Sequence, residues 1–202
     1  MLLDGAREMG IALEPGQAAA LLRLITELRD WNERFNLTAI TDPEEMVRKH
    51  LLDSLSVQPL LRGSRIADVG TGAGFPGLPL AVINPGRRFT LIEATGKKAR
   101  FVQHAVETLG LANVEVIHAR AEAWRATAPF DCVVSRALGM LAGFIRVASH
   151  LCARNGRLLA MKGRRPSAEL PLLPPGWQVI AVHEIRIPGL AAERCVVELG
   201  RA

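Results

Sequence analysis

Four glycines set straight after a short apolar run constrain this chain more than any other feature: Asp68-Val69-Gly70-Thr71-Gly72-Ala73-Gly74-Phe75-Pro76-Gly77. The run before them has strand character and the segment after Pro76 has helical character, so the glycines mark a strand-to-helix turn. Without side chains such a turn is sharp, and a ligand can approach its backbone closely. In an open α/β sheet that place, outside the carboxyl ends of the strands where their order reverses, is where nucleotide-like ligands bind.

The remainder of the chain from residue 65 has matching texture. Short β-branched runs predict strands at 65–69, 89–93, 113–118, 130–135, 157–162, 177–187 and 193–199. Helical patterns fall between them near 76–83, 96–109, 120–125 and 137–150, with a further one around 166–173. Alternation of this kind is the pattern of parallel βαβ units. Pro188 to Ala192 is too short for a helical crossover, so the last two strands are expected to pair antiparallel. The fold class is therefore α/β, a Rossmann-like arrangement with a seven-stranded, mostly parallel sheet and an antiparallel last strand.

Ahead of the sheet, Leu21, Leu24, Ile25, Leu28, Trp31 and Phe35 recur at helical spacing over 17–35. A second helix starts at Asp42-Pro43-Glu44-Glu45, where Asp42 caps, Pro43 suits the first position and Glu45 can close a capping box. It points Met46, Val47, Leu51 and Leu55 inward. Residues 1–63 are thus expected to form an N-terminal helical extension packed on a domain of residues 64–202, the whole a single unit.

The chain has 202 residues, enough for one domain of about 150 with an appendage, and its 49% hydrophobic content is that of a globular protein. Apolar stretches such as Leu78–Ile83 fall far short of the roughly 18 residues that span a bilayer. The opening residues carry acids where a signal peptide has a basic start, so no membrane partner and a cytoplasmic location are expected. Cys132, Cys152 and Cys195 lack any CxxC spacing, which predicts neither disulfides nor a metal site. Nothing in the composition demands an interface, and a monomer is expected.

Charge is uneven: residues 1–63 hold 7 Lys/Arg against 10 Asp/Glu, and residues 64–202 hold 18 against 10. A basic excess favours a polyanionic partner such as nucleic acid. With three Trp, six Phe and no Tyr, rows of stacking aromatics are absent, and recognition through shape and phosphate is expected instead. Lys97, Lys98, Arg100, Arg164 and Arg165 could supply a phosphate funnel, or Lys97 and Lys98 could be the solvated face of their helix.

Two cofactors compete for the glycine loop. Gly72-x-Gly74-x-x-Gly77 matches the dinucleotide fingerprint, which would make the chain an NAD(P)-binding oxidoreductase. Asp-x-Gly-x-Gly-x-Gly matches the loop that holds S-adenosylmethionine (SAM). Glu93, closing the second strand, could accept hydrogen bonds from both ribose hydroxyls of either cofactor. Three features favour SAM: Asp68, placed to meet an ammonium group; Ala121-Glu122 after the third strand, placed to read an adenine edge; and the antiparallel strand pair at the C-terminus.

Further residues carry a resemblance: Trp31-Asn32 with Asn36-Leu37-Thr38, Asp42-Pro43, Arg48-Lys49-His50 with Leu52-Asp53-Ser54, Asp68 through Pro79, Phe130-Asp131 with Ser135-Arg136-Ala137, Lys162-Gly163 and Glu193-Arg194. In these the chain closely resembles the bacterial small-subunit ribosomal RNA methyltransferase G family, also called glucose-inhibited division protein B, across residues 28–199. The resemblance implies a SAM-dependent enzyme, releasing S-adenosyl-L-homocysteine, that methylates N7 of one guanine in 16S ribosomal RNA. Its partner would be that RNA or the small ribosomal subunit. The cofactor-binding residues it implies are Gly70, Phe75, Ala121, Glu122 and Arg136, joined by Asp68, Gly72, Gly74 and Glu93 on the chemistry above. The substrate-side and catalytic residues it implies are Arg136, Lys162, Arg194, His50 and Asn36. Many members carry Asp where this chain has Glu93, which keeps the carboxylate and changes its reach.

Guanine N7 presents an in-plane lone pair and loses no proton, so attack on a sulfonium methyl needs no general base. Alignment and electrostatics then carry the rate. Consistently, Ser135-Arg136-Ala137 replaces the Asn/Asp-Pro-Pro-aromatic motif that grips an exocyclic amine, and Cys132 lies inside a predicted strand. Taken alone, His50 is a helix histidine satisfied within the fold. A SAM-dependent methyltransferase acting on a small molecule or a protein is the alternative on the same fold.

Overall fold

The computed structural model describes residues 1–136 and 138–202. Seven strands form one sheet: β1 (Arg65–Val69), β2 (Arg88–Glu93), β3 (Val114–His118), β4 (Phe130–Arg136), β5 (Cys152–Lys162), β6 (Trp177–Ile185) and β7 (Arg194–Arg201). Their order is β3-β2-β1-β4-β5-β7-β6. The pairs among β1 to β5 are parallel, and β7 runs antiparallel to both of its neighbours. The chain order reverses between β1 and β4, and the glycine loop leaves β1 at that point.

Helices α1 (Leu2–Glu8) and α2 (Pro15–Phe35) precede the sheet. They are followed by α3 (Pro43–Met46), a π-helical stretch (Val47–Leu52) and the single turn α4 (Asp53–Leu55). Then come α5 (Gly77–Ile83), α6 (Gly96–Leu109) and α7 (Leu141–Ala148). The Asp42 carboxylate accepts from Glu45 N at 2.8 Å with Pro43 in the first turn, the cap its sequence predicts. Among the described residues no helix is long and apolar enough to cross a membrane.

One face of the sheet packs a core that runs without a break into the N-terminal helices: Leu21, Leu24, Leu28, Leu51 and Leu55 join Ile66, Leu78, Phe89 and Phe101. Truncating one such leucine to alanine costs about 2–5 kcal/mol. The other face buries Phe130, Val133 and Leu158 in a core shared with Phe144 of α7. All three cysteines are buried free thiols, and burial pushes Cys132 up to about 12.

Several elements depart from expectation for identifiable reasons. Helix α1 was not foreseen: Gly5 breaks its pattern, yet a Cβ there would lie 2.6 Å from Leu52 Cδ1, so glycine permits the close approach. Segment 120–125 makes a turn closed onto Arg120 O rather than a helix, since so short a run cannot propagate one. The helix expected around 166–173 is only a 3-10 turn, Leu170–Leu172, because Pro166, Pro171 and Pro174 deny it donors. Strand β5 begins at Cys152, five residues early, around an irregularity in its pairing with Phe130 and Cys132. The helix expected over 137–150 is α7, and its predicted first residue, Ala137, lies outside the described residues.

Candidate active site

The loop after β1 is pinned from both sides. Gly70 N and Thr71 N donate to Ile92 O of β2, at 2.9 and 3.2 Å, which folds the chain back over the sheet edge. Gly72 takes φ +63°, a left-handed backbone that favours glycine, and a Cβ there would meet nothing within 4 Å, so the crest of the loop is open. At Gly77 the need is closeness: a Cβ would lie 2.1 Å from Leu91 Cδ2 and 2.8 Å from Asp68 Oδ2. Gly74 packs against Leu78 in the same way.

Asp68 is fully buried, and its two oxygens differ. Oδ2 accepts from Thr71 Oγ1 at 2.6 Å and from Gly77 N at 2.8 Å, whereas Oδ1 is buried with no hydrogen-bond partner. Burial pushes the carboxyl up to about 6, against the opposing pull of those two hydrogen bonds. A buried acceptor left unpaired costs roughly 1–3 kcal/mol, an amount that an ammonium donor would recover. Glu93, buried at the end of β2, accepts from Gly72 N at 2.8 Å on Oε2 and from Thr95 N at 2.7 Å on Oε1. It therefore shapes the loop, and each oxygen keeps a second lone pair for a ribose hydroxyl. Ala121 is buried and Glu122 exposed in the turn beyond β3. The residues present thus fit SAM: Asp68 for its ammonium, Glu93 for its ribose, Ala121 and Glu122 for its base.

Beside the loop, three strands adjacent in the sheet each present one cation at the same edge: Arg136 ending β4, Lys162 ending β5 and Arg194 opening β7. They line a cavity of about 460 Å³ together with Ile40, His50 and Asp53 from the N-terminal extension. A larger cavity at the opposite end of the sheet, lined by Arg65, Arg88 and Asn113, includes none of the predicted site residues.

Sequence reasoning had no role for Asp53, yet it joins two of these cations. Its Oδ2 accepts from Arg136 Nη1 at 3.0 Å and its Oδ1 from Arg194 Nε at 3.1 Å. The π-helical stretch brings it there, because the wide turn carries His50, Asp53 and Ser54 inward together with Leu51 and Leu55. Glu169 was also missed: both its oxygens meet Lys162 Nζ at 3.0 Å, and one accepts from Leu141 N at the start of α7. Asp53 lies in the Leu52-Asp53-Ser54 motif, which by itself gives it no role, and Glu169 lies in no such motif.

His50 is buried, stacked 4.7 Å from Phe75 and bonded through Nε2 to Thr38 Oγ1 at 3.1 Å. Its Nδ1 faces Arg136 Nη2 at 3.5 Å. Since a guanidinium only donates, Nδ1 carries the lone pair and Nε2 the proton. Burial, and then the charge of Arg136, hold the imidazole down to about 4. Phe75 itself is buried, so what it offers a ligand is its backbone. Asn36 stands apart: it is the exposed left-handed cap of α2, φ 48°, and Asn32 Oδ1 holds the chain beyond it through Leu37 N and Thr38 N. Lys97 donates to Phe35 O at 2.7 Å and clasps α2 to α6.

A seven-stranded sheet of this order, with a glycine loop after β1 and carboxylates at the ends of β1 and β2, defines a class I SAM-dependent methyltransferase. The fold matches a SAM-dependent methyltransferase from Aquifex aeolicus, with TM-score 0.58 and 19% identity over 88% of this chain and 97% of that one. It also matches one from Thiobacillus denitrificans in complex with S-adenosyl-L-homocysteine, with TM-score 0.55 and 16% identity over 86% and 97%. The family model described as rRNA small subunit methyltransferase G matches residues 17–197. Ribosomal RNA small subunit methyltransferase G of Stenotrophomonas maltophilia (strain K279a) is 49% identical over 196 residues, 97% of this chain and 92% of that protein. Its counterpart in Methylococcus capsulatus is 49% identical over 199 residues, 98% and 97%. The chain belongs to the rRNA small subunit methyltransferase G family.

Proposed function

We propose that the chain transfers the methyl group of SAM to N7 of one guanine in 16S ribosomal RNA, on the small ribosomal subunit or its RNA. The supporting observation is the cavity beside the glycine loop, whose polar lining is dominated by donors: Arg136, Lys162 and Arg194. Guanine presents two acceptors, O6 and N7, on its major-groove edge. An arginine cannot bond N7 while N7 attacks, so the guanidinium groups serve O6 or the flanking phosphates. Bound SAM supplies a sulfonium whose methyl is the electrophile.

The chain's own residues perform the rest. Asp68 holds the cofactor's ammonium through Oδ1, and Glu93 its ribose. The wall at Arg136, His50 and Phe75 sets the angle of approach. No residue removes a proton, in keeping with a histidine whose free nitrogen points at a guanidinium. Extracting the target base from its stack costs a few kcal/mol, which cation contacts with the backbone offset. Residues 1–63 act as part of this machine rather than as a separate domain, and the protein works in the cytoplasm as a monomer.

The test is transfer of labelled methyl from SAM to small subunits and to protein-free 16S RNA, both lacking the modification, with the site mapped by cleavage at N7-methylguanine. Label at one guanine is expected. Absence of label on both, alongside measurable SAM binding, would leave a methyltransferase with a small-molecule or protein substrate.

A further inference from the structure

Asp53 is a buried carboxylate, 4% exposed, placed between two arginines from different strands. Arg136 comes from β4 and Arg194 from β7, and β5 lies between them in the sheet. Each guanidinium is also fixed by a carbonyl: Arg136 Nη1 donates to Lys49 O at 2.9 Å and Arg194 Nη1 to Glu193 O at 2.8 Å. Arg136 Nη2 gives one donor to His50 Nδ1 at 3.5 Å, so these bonds leave a ligand the second donor of that group and both donors of Arg194 Nη2. Two guanidinium groups facing one cavity repel each other, and a carboxylate between them removes that repulsion while setting their spacing.

We propose that Asp53 is a positioning residue for methyl transfer, gripping Arg136 and Arg194 so that their outer donors are held at the spacing the RNA requires. The inference rests on the ribosomal RNA reading above. A buried ion pair is weak as a source of stability, because desolvation offsets its attraction. Its geometry is another matter, since small displacements of an aligned group can cost about a hundredfold in rate. The helical segment that carries Asp53 has its own anchors in Met46, Leu51, Leu55 and the Asp42 cap, so holding that segment in place does not require the carboxylate.

The test uses the full chain and undermethylated small subunits. Asp53→Asn keeps the shape and removes the charge. Expected is a fall in kcat of about tenfold to a hundredfold per folded molecule, with the calorimetric Kd for SAM changed by less than about threefold. In an Arg194→Ala background the same substitution should cost at least about threefold less, because part of what it disturbs is already gone. Wild-type kcat per folded molecule with only a lowered Tm, or equal losses in both backgrounds, would overturn the proposal. If the wild-type chain labels neither particles nor RNA, the ribosomal reading falls and this inference with it. Labelling by the wild type with additive losses removes the inference alone.

Discussion

Phe75 and His50 lie face to face, ring centroids 4.7 Å apart and 20° from parallel. The stack joins the glycine loop to the N-terminal extension and shields the imidazole from water. With Arg136 adding positive charge, His50 stays neutral until about pH 4. The rate of methyl transfer should therefore show no inflection near 6.5 attributable to this residue. Its ring resonances in an NMR titration should stay unchanged down to about pH 5. Protonation of His50 near neutrality would contradict the assigned tautomer.

Asp68 gives the cofactor site a pH dependence. An ammonium bound at Oδ1 favours the ionised carboxylate, and the free site titrates at about 6. SAM affinity should be level from that value up to about pH 7.5, where the ligand's α-amino group starts to lose its own proton, and fall by about tenfold per pH unit below it. Asp68→Asn should weaken SAM binding by about tenfold or more and flatten this slope, both readable by calorimetry.

The same two groups act oppositely on stability. Asp68 is raised from 3.8 to about 6, so the folded state binds its proton more tightly, and stability falls as pH rises through that window. His50 is lowered from 6.5 to about 4, so the unfolded state takes the proton first, and stability rises with pH between those values. Each is worth roughly 3 kcal/mol, and they nearly cancel between pH 4 and 6. Removing the acid in Asp68→Asn should uncover the histidine: denaturant melts of that variant should gain stability from pH 4 to 6.5 more steeply than wild type.

Gly77→Ala should destabilise the protein by about 1–3 kcal/mol, because its methyl collides with Leu91 and with the Asp68 oxygen that organises the loop. Gly72→Ala meets no neighbour, and the strain of φ +63° alone should cost about 1 kcal/mol. Urea midpoints of the two variants distinguish a crowding cost from a conformational one.

What the sequence made legible was whatever is encoded by neighbours. The loop, the strand alternation, the Asp42 cap and the stripe of α2 are all patterns within about a dozen residues, and each is found where it was expected, save that Phe35 at the end of the stripe is exposed. The antiparallel return of β7 followed from the short connection at Pro188. The partners of Asp53 and Glu169 were invisible for the converse reason. Asp53 gains its meaning from arginines 83 and 141 positions away, and no local spacing announces such contacts. Glu169 sits in a proline-rich stretch whose helical appearance was misleading. Asn36, taken as a substrate-side residue from the motif around it, is seen here as the left-handed cap of α2.

The π-helical turn between Val47 and Leu52 has a consequence for how this segment tolerates change. Successive residues of an α-helix are about 100° apart around its axis. Adding one residue to a segment that already holds the extra residue of a π turn would rotate everything downstream by about that amount. Leu51 and Leu55 could find other apolar neighbours, but Asp53 would leave both arginines at once. The spacing from Asp42 to Asp53 is therefore a ruler, and a one-residue insertion within it should disarm the cavity while sparing much of the hydrophobic core.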